Sequence, residues 1–207
     1  MKSTALIANG HIGDPLQLLP LLKNYSRIVA VDGGLRYCKE LGLTPHLILG
    51  DFDSASAALL EEYPTVLKLS FPKDKDQTDL ELAIEHEFVE GASSLSLFGA
   101  WGERIDHSVT NLLLLSRYPG SIRLETEKEI LFAIQGSVEI SVFPGQTLSL
   151  LPVNGPARGI TTKGLKWELN SGMLDYRFIG ISNICLKDKV RISIREGILI
   201  CCLQKQM

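Results

Sequence analysis

Carboxylates stand out first, because several sit in glycine-bracketed segments directly after short apolar runs. Asp32-Gly33-Gly34 follows Val31, Gly50-Asp51-Phe52-Asp53-Ser54 follows Leu49, Asp74, Asp76 and Asp79 follow Leu69, and Asp106 lies in the segment after Phe98. Asp51 and Asp53 are two positions apart, so an extended segment projects both to one side and turns Phe52 toward a core. Crowded carboxylates repel one another strongly unless protons or a cation compensate. Mg²⁺ fits this pattern, since it is held by one or two carboxylates and completes its shell with substrate phosphates. A transition metal calls for more histidine or thiolate than His107 supplies. For any single Asp here, a turn or helix cap is the competing explanation.

Phosphate chemistry is suggested next to these acids. Lys73-Asp74-Lys75-Asp76 precedes Thr78-Asp79-Leu80-Glu81, which has the form of a capping box. A helix N-terminus offers free N–H groups to phosphate oxygens, and Lys73, Lys75 and Arg104 are candidate cationic partners, the alternative being a solvated loop of alternating charge. No G-x-x-x-x-G-K-[ST] loop occurs, and no G-x-G-x-x-G follows the first apolar run, which disfavours a P-loop fold. Asp32-Gly33-Gly34 suits either a tight strand-to-helix turn or close backbone approach to a nucleotide. Gly99-Ala100-Trp101-Gly102 reads as a flexible glycine loop, a buried indole being the ordinary alternative for Trp101. His107 suits the start of a helix, and Asn111, one turn on, is placed to bond His107 or a ligand.

These residues need elements to carry them. The first ~125 residues alternate apolar runs with amphipathic stretches, the pattern of βαβ units and a mainly parallel sheet. Strands are predicted at Thr4–Ala8, Arg27–Val31, Leu47–Leu49, Thr65–Leu69, Ser94–Phe98 and Ile122–Glu125, with helices starting at Thr78 and spanning Asp106–Arg117. In such a sheet ligands bind beyond the carboxyl ends of the strands, where these acidic loops emerge. After about Glu127 the texture changes to short alternating runs broken by Pro144-Gly145, Asn154-Gly155-Pro156, Asn170-Ser171-Gly172 and Glu196-Gly197, as in an antiparallel sandwich or barrel. The expected organisation is an α/β nucleotide-binding domain over residues 1–126 and an all-β sandwich over 127–207.

Composition narrows the function classes. The chain has 207 residues, 45% of them hydrophobic, which suffices for a core without crosslinks. Its formal net charge of -3 offers no general attraction for nucleic acid or anionic membranes. The apolar runs are far shorter than the ~20 residues of a membrane helix, and nothing resembles a cleavable leader, so the expected location is the cytoplasm. Cys38, Cys185, Cys201 and Cys202 show no C-x-x-C spacing and read as reduced, mostly buried thiols.

Taken together, Asp32-Gly33-Gly34, Gly50-Asp51-Phe52-Asp53-Ser54, Asp76-Gln77-Thr78-Asp79, Gly102-Glu103-Arg104-Ile105-Asp106-His107 with Asn111, Thr162-Lys163-Gly164-Leu165-Lys166-Trp167 and Ser182-Asn183 resemble the thiamine pyrophosphokinase family in order and spacing. The resemblance spans nearly the whole chain. It implies transfer of the β,γ-diphosphoryl group of ATP to the hydroxyl of thiamine, with Mg²⁺, giving thiamine diphosphate and AMP. It also implies an α/β nucleotide domain followed by a sandwich, and a homodimer whose sites lie between subunits. By motif, Asp51, Asp53 and Asp79 correspond to the metal and diphosphate centre. Asp32, Gly33, Gly34, Lys75, Thr78 and Arg104 correspond to ATP or diphosphate contacts, and Asp106 to a carboxylate near the thiamine hydroxyl. Trp167, Ser182 and Asn183 correspond to thiamine contacts, although core packing is the ordinary role of an indole on a predicted strand. One departure stands out: family members carry Ser-Thr-Ser-Asn where this chain has Gly180-Ile181-Ser182-Asn183. The competing readings are a related diphosphokinase acting on a hydroxymethylpterin or thiamine analogue, and a noncatalytic nucleotide or thiamine sensor.

Overall fold

A computed structural model describes residues Lys2–Gln206. Their contacts form two compact units. The first holds residues up to Ser108 together with Glu125–Glu127, and the second holds Val109–Leu124 together with the residues from Lys128 on.

Five strands of the first unit, β1 (Ser3–Ile7), β2 (Arg27–Val31), β3 (Leu47–Gly50), β4 (Lys68–Ser70) and β5 (Ser94–Phe98), are ordered β5-β1-β2-β3-β4. All four pairings are parallel, with Ile7 opposite both Phe98 and Ala30, and Leu49 opposite Val31 and Leu69. The carboxyl ends are therefore level, and the loops that follow leave from one edge. Parallel strands need helical crossovers, here α1 (Leu19–Leu22), α2 (Leu35–Glu40), α3 (Ala57–Glu61) and α4 (Asp79–Val89). Because helices cover both faces, strand residues of either parity are buried. Ala5, Ile7, Ala30, Ile48 and Phe98 pack with Leu18, Leu22, Leu35 and Cys38 on one face, while α4 packs on β2 and β3.

The sequence-based strands at Arg27–Val31, Ser94–Phe98 and Ile122–Glu125 coincide with the observed ones. The run expected at Thr65–Leu69 is strand only over Lys68–Ser70, because Val66 N–H turns back to the Tyr63 carbonyl and Lys68 Nζ bonds the same carbonyl. The second long helix, α5, spans Ile105–Leu115, starting and stopping slightly earlier than expected.

The remaining strands are β6 (Ile122–Glu125), β7 (Glu129–Ile134), β8 (Ser137–Ser141), β9 (Thr147–Leu151), β10 (Ala157–Lys163), β11 (Gly172–Leu174), β12 (Gly180–Ile184), β13 (Lys189–Ser193) and β14 (Leu199–Gln204). They run β12-β9-β14-β7-β6 in one sheet and β11-β10-β13-β8 in the other. The pairings of β7 to β14 are antiparallel, as the closely spaced turn signals require. Inner residues of both sheets share one core, with Leu148, Leu150, Leu199 and Cys201 against Ile160, Leu174, Val190 and Ile192. Alternation is plain in β13: Val190 and Ile192 point inward, while Lys189 and Arg191 point outward and clasp Glu139.

One charge is wholly inside the first unit. Glu87 of α4 is 0% exposed, takes Arg27 Nε at 2.9 and 3.0 Å on its two oxygens, and accepts the Thr4 hydroxyl at 3.1 Å. Removing one partner of a buried pair leaves the other uncompensated, so Glu87→Ala should destabilise the protein by about 3 kcal/mol in urea unfolding. A loss below about 1 kcal/mol, the size of an exposed pair, would show that this contact does not anchor α4 to the sheet.

Candidate functional site

Three loops at the carboxyl edge of the parallel sheet bring their acids together. Asp32 follows β2, Asp51 follows β3, and Asp79 opens α4. One carboxylate oxygen from each lies within 4.8 Å of the others. All three are withdrawn from water: Asp32 is 8% exposed, and the side chains of Asp51 and Asp79 are 10% and 19% exposed.

Local structure enforces the convergence. The residues Asp32–Gly34 form a single 3-10 turn between β2 and α2, with Asp32 in the left-handed region (φ 47°), a conformation Asp tolerates better than most residues. Gly34 approaches β1 so closely that a Cβ would lie 2.0 Å from the Ile7 carbonyl oxygen, and a Cβ on Gly33 would meet the Asn9 side chain at 2.5 Å. The glycine pair is thus accounted for by contact with β1 and the loop after it. Gly50 plays the corresponding part at the end of β3, where a Cβ would stand 2.9 Å from that of Asp32.

The segment after Gly50 is not extended, contrary to the expectation for Asp51 and Asp53. Phe52 adopts φ 61° and packs its ring against the core of the first unit, while Asp51 Oδ1 accepts the Asp53 N–H at 3.1 Å. This turn rotates the two carboxylates apart. Asp53 stays exposed, accepts the Ser54 hydroxyl, and lies outside the three-carboxylate group. Asp32, anticipated as an ATP contact, takes the third place instead.

Thr78 and Glu81 form the expected capping box: Thr78 Oγ1 accepts the Glu81 N–H at 3.2 Å, and Glu81 Oε2 accepts the Thr78 N–H at 3.0 Å. The Thr78 hydroxyl also donates to Glu81, so it serves the helix end. Lys75, in the loop just before, reaches into the acids. Its Nζ lies 2.9 Å from Asp51 Oδ2 and 3.3 Å from Asp79 Oδ1, and it donates to the Pro72 carbonyl at 2.9 Å.

The charges respond to these contacts. The Lys75 hydrogen bond holds the Asp51 carboxyl below its ordinary range. Burial pushes that of Asp79 upward, against the opposing pull of Lys75. For Lys75, desolvation disfavours the charge, but the contacts with Asp51 and Asp79 together outweigh it and raise its pKa. Two carboxylate oxygens, Asp32 Oδ1 and Asp79 Oδ1, are buried with no hydrogen-bond partner, the latter standing near Lys75 but outside hydrogen-bond geometry. Buried acceptors without partners are costly. An oxygen-only set of carboxylates suits a hard divalent cation.

Asp106 is not one of the three grouped acids. Arg104 and Asp106 are exposed and paired with each other at 2.6 Å, and this contact draws the Asp106 carboxyl down to about 2. His107 is exposed and Asn111 buried. Trp101 is 41% exposed, not buried, and its loop is tied down: Gly10 N–H bonds the Gly99 carbonyl, His11 N–H that of Trp101, and Gly102 N–H the Ser108 hydroxyl.

In the second unit Trp167 lies between strands with 54% of its surface exposed, so it is not the core indole expected of a strand residue. The Lys166 ammonium stands over its ring, 4.6 Å from the centroid. Asn183 grips it from behind: Asn183 Oδ1 accepts the Trp167 N–H at 3.1 Å and Nδ2 donates to the Trp167 carbonyl at 2.7 Å. This clamp joins residues on separate segments, and no local signal in the sequence announces it. Trp167 and Asn183 line a cavity of about 250 Å³ with Leu150, Thr162, Phe178 and Gly180. Ser182 is exposed, in the left-handed region (φ 56°), with its N–H on the Ser149 hydroxyl.

Comparison with known proteins agrees with this architecture. Residues 18–126 match the family model described as thiamin pyrophosphokinase, catalytic domain, and residues 134–199 match thiamin pyrophosphokinase, vitamin B1 binding domain. A thiamine pyrophosphokinase of Bacillus subtilis is 28% identical over 97% of both chains. The crystal structure of a B. subtilis thiamine pyrophosphokinase superposes over 100% of both chains with a TM-score of 0.87 at 23% identity, and that of yeast thiamin pyrophosphokinase over 98% of this chain and 86% of its own with 0.84 at 18%. At those identities the superpositions speak for the fold.

Gly50→Ala tests how the acids are positioned. The added methyl has to displace Asp32, so the variant should lose about 1–3 kcal/mol of stability in chemical unfolding. Unchanged stability would mean that the end of β3 does not hold Asp32 in place.

Proposed function

The chain belongs to the thiamine pyrophosphokinase family, and on that premise we propose that Asp32, Asp51 and Asp79 form the metal and diphosphate centre of its reaction. The reaction is transfer of the diphosphoryl group of ATP to the hydroxyl of thiamine, giving thiamine diphosphate and AMP. The observation that carries the assignment is the convergence of three withdrawn carboxylates, two of them with buried oxygens that lack a hydrogen-bond partner. Mg²⁺ is the cation this set fits. When bound, it supplies neutralisation of phosphate charge and a template for the diphosphate.

The chain's own residues then have to position and neutralise, which is most of what phosphoryl transfer asks of a protein. Lys75 contributes a positive charge beside the acids, and Asp79 is the first residue of α4, an element end whose free amides suit phosphate oxygens. Arg104 is an exposed cation suited to the triphosphate. Asp106, with its pKa drawn down by Arg104, is a weak proton acceptor, so we assign it to orienting the hydroxyl. A loose transition state demands little from a base. Asp53 is proposed as an outer contact of the metal centre, since its carboxylate lies outside the group of three.

For the acceptor, the exposed face of Trp167 suits a flat cationic heterocycle, and Asn183 keeps that face in position. Ser182 stands beside it. We keep residues 1–126 as the ATP and metal part and 127–207 as the thiamine part, supported by the gap between the two family matches. A homodimer is supported by Tyr176, Phe178, Ile179 and Ile181, large side chains exposed near the Trp167 cavity. A cytoplasmic setting is supported by four free cysteines, and the net charge of -3 favours small substrates over nucleic acid or membrane. No helix among the described residues is long and apolar enough to cross a membrane.

Purified protein with ATP, Mg²⁺ and thiamine should release AMP in step with thiamine diphosphate. Turnover with a hydroxymethylpterin but not thiamine would reassign the acceptor, and tight binding without AMP release would make the protein a sensor. Asp51→Asn should lower kcat by about a hundredfold or more while the melting curve stays in place. Near-normal turnover would remove Asp51 from the centre. Trp167→Ala should raise KM for thiamine by about tenfold with kcat little changed, and an unaltered KM would return the indole to a packing role.

A further inference from the structure

Lys75 occupies the space between Asp51 and Asp79. Its side chain is only 15% exposed. An ammonium has three donors. One goes to Asp51 Oδ2, one to the Pro72 carbonyl, and the third side of the group faces Asp79 Oδ1 at 3.3 Å. A cation bridging Asp51 and Asp79 competes with the ammonium for the same two carboxylates. Mg²⁺ needs oxygens at about 2.0–2.1 Å, so an ammonium left between the same carboxylates would face it at close range as a like charge.

We infer that Lys75 is a tethered stand-in for the metal, holding the acids together until metal and triphosphate arrive together, and that its displacement couples the binding of the two. The inference rests on the assignment of the three carboxylates as the metal centre.

The consequences follow from where the ammonium can go. Metal alone has to expel Lys75 from two carboxylates and leave it partly buried with no counter-charge and only the Pro72 carbonyl to bond, which opposes binding. A triphosphate supplies oxygens that receive the released ammonium, so the opposition vanishes when both ligands are present. The lysine therefore disfavours metal by itself and favours metal with nucleotide, which is a positive coupling between two ligands. Lys75 has the reach for this. It is a flexible point charge in the loop before α4, anchored by hydrogen bonds and not by packing of a rigid plane. A fixed, metal-only site would have no use for a cation already seated in it.

Removing the stand-in has a counterintuitive effect. Lys75→Met should bind Mn²⁺ alone more tightly than the wild type, by about tenfold, measured by electron paramagnetic resonance or calorimetry without nucleotide. The enhancement of Mn²⁺ binding by an ATP analogue with a methylene bridge between the α and β phosphorus atoms should be large in the wild type and close to absent in the variant. Mn²⁺ alone should also raise the melting temperature of Lys75→Met more than that of the wild type, since the variant's acids have lost their resident counterion. Lys75→Gln repeats the measurement if the methionine variant does not fold. Mn²⁺ affinity in Lys75→Met equal to or weaker than that of the wild type, or an undiminished effect of the analogue, would overturn the stand-in role while leaving the metal centre intact. Failure of wild type and variant alike to bind Mn²⁺, with or without the analogue, would overturn the metal centre itself and this inference with it.

Discussion

Three negative charges held within a few ångströms of one another, mostly out of water, are the constraint around which the first unit is arranged. Nothing in folding alone favours such a group. Desolvation and mutual repulsion both oppose it, and the unfolded chain would disperse it. Its persistence requires a backbone that leaves the acids no alternative and a cation close at hand. The parallel sheet supplies the first by ending β2 and β3 level with each other and delivering α4 to the same edge. Lys75 supplies the second.

The enforcing contacts are small and local. Gly33 and Gly34 let the turn after β2 sit against β1 and its following loop, Gly50 lets β3 end beside Asp32, and the Phe52 turn aims Asp51 inward at the expense of Asp53. The capping box fixes where α4 begins, and with it Asp79. The second unit uses comparable means around Trp167, the proposed acceptor contact. An asparagine holds the backbone of a tryptophan so that its ring stays exposed, and a lysine covers that ring. In both units a lysine side chain stands against the group proposed to meet a cationic ligand.

Much of this was legible in the sequence. Alternating βαβ texture, the Thr78–Glu81 box and the acidic loops at strand ends all depend on short-range pattern, and apart from the shortened β4 the strands and helices of the first unit lie close to where that pattern puts them. The errors came from backbone conformations that pattern does not carry. Spacing puts Asp51 and Asp53 on one side only if Phe52 is extended, and its left-handed conformation comes from ring packing that is invisible locally. The partnership of Asp32 with Asp79 and the clamp of Asn183 on Trp167 join distant segments, so they exist only once the sheets are assembled. Trp101 and Trp167, for which core packing is the ordinary alternative, are both substantially exposed and both lie outside the strands.

The central claim is that Asp32, Asp51 and Asp79 together hold a divalent cation with the diphosphate. A crystal structure with Mn²⁺ and the methylene-bridged ATP analogue, read by anomalous scattering, tests it most directly. The expected result is an anomalous peak at coordinating distance from Asp32, Asp51 and Asp79, with Lys75 moved onto phosphate oxygens. A peak elsewhere, with Lys75 still clasped between Asp51 and Asp79, would contradict the account.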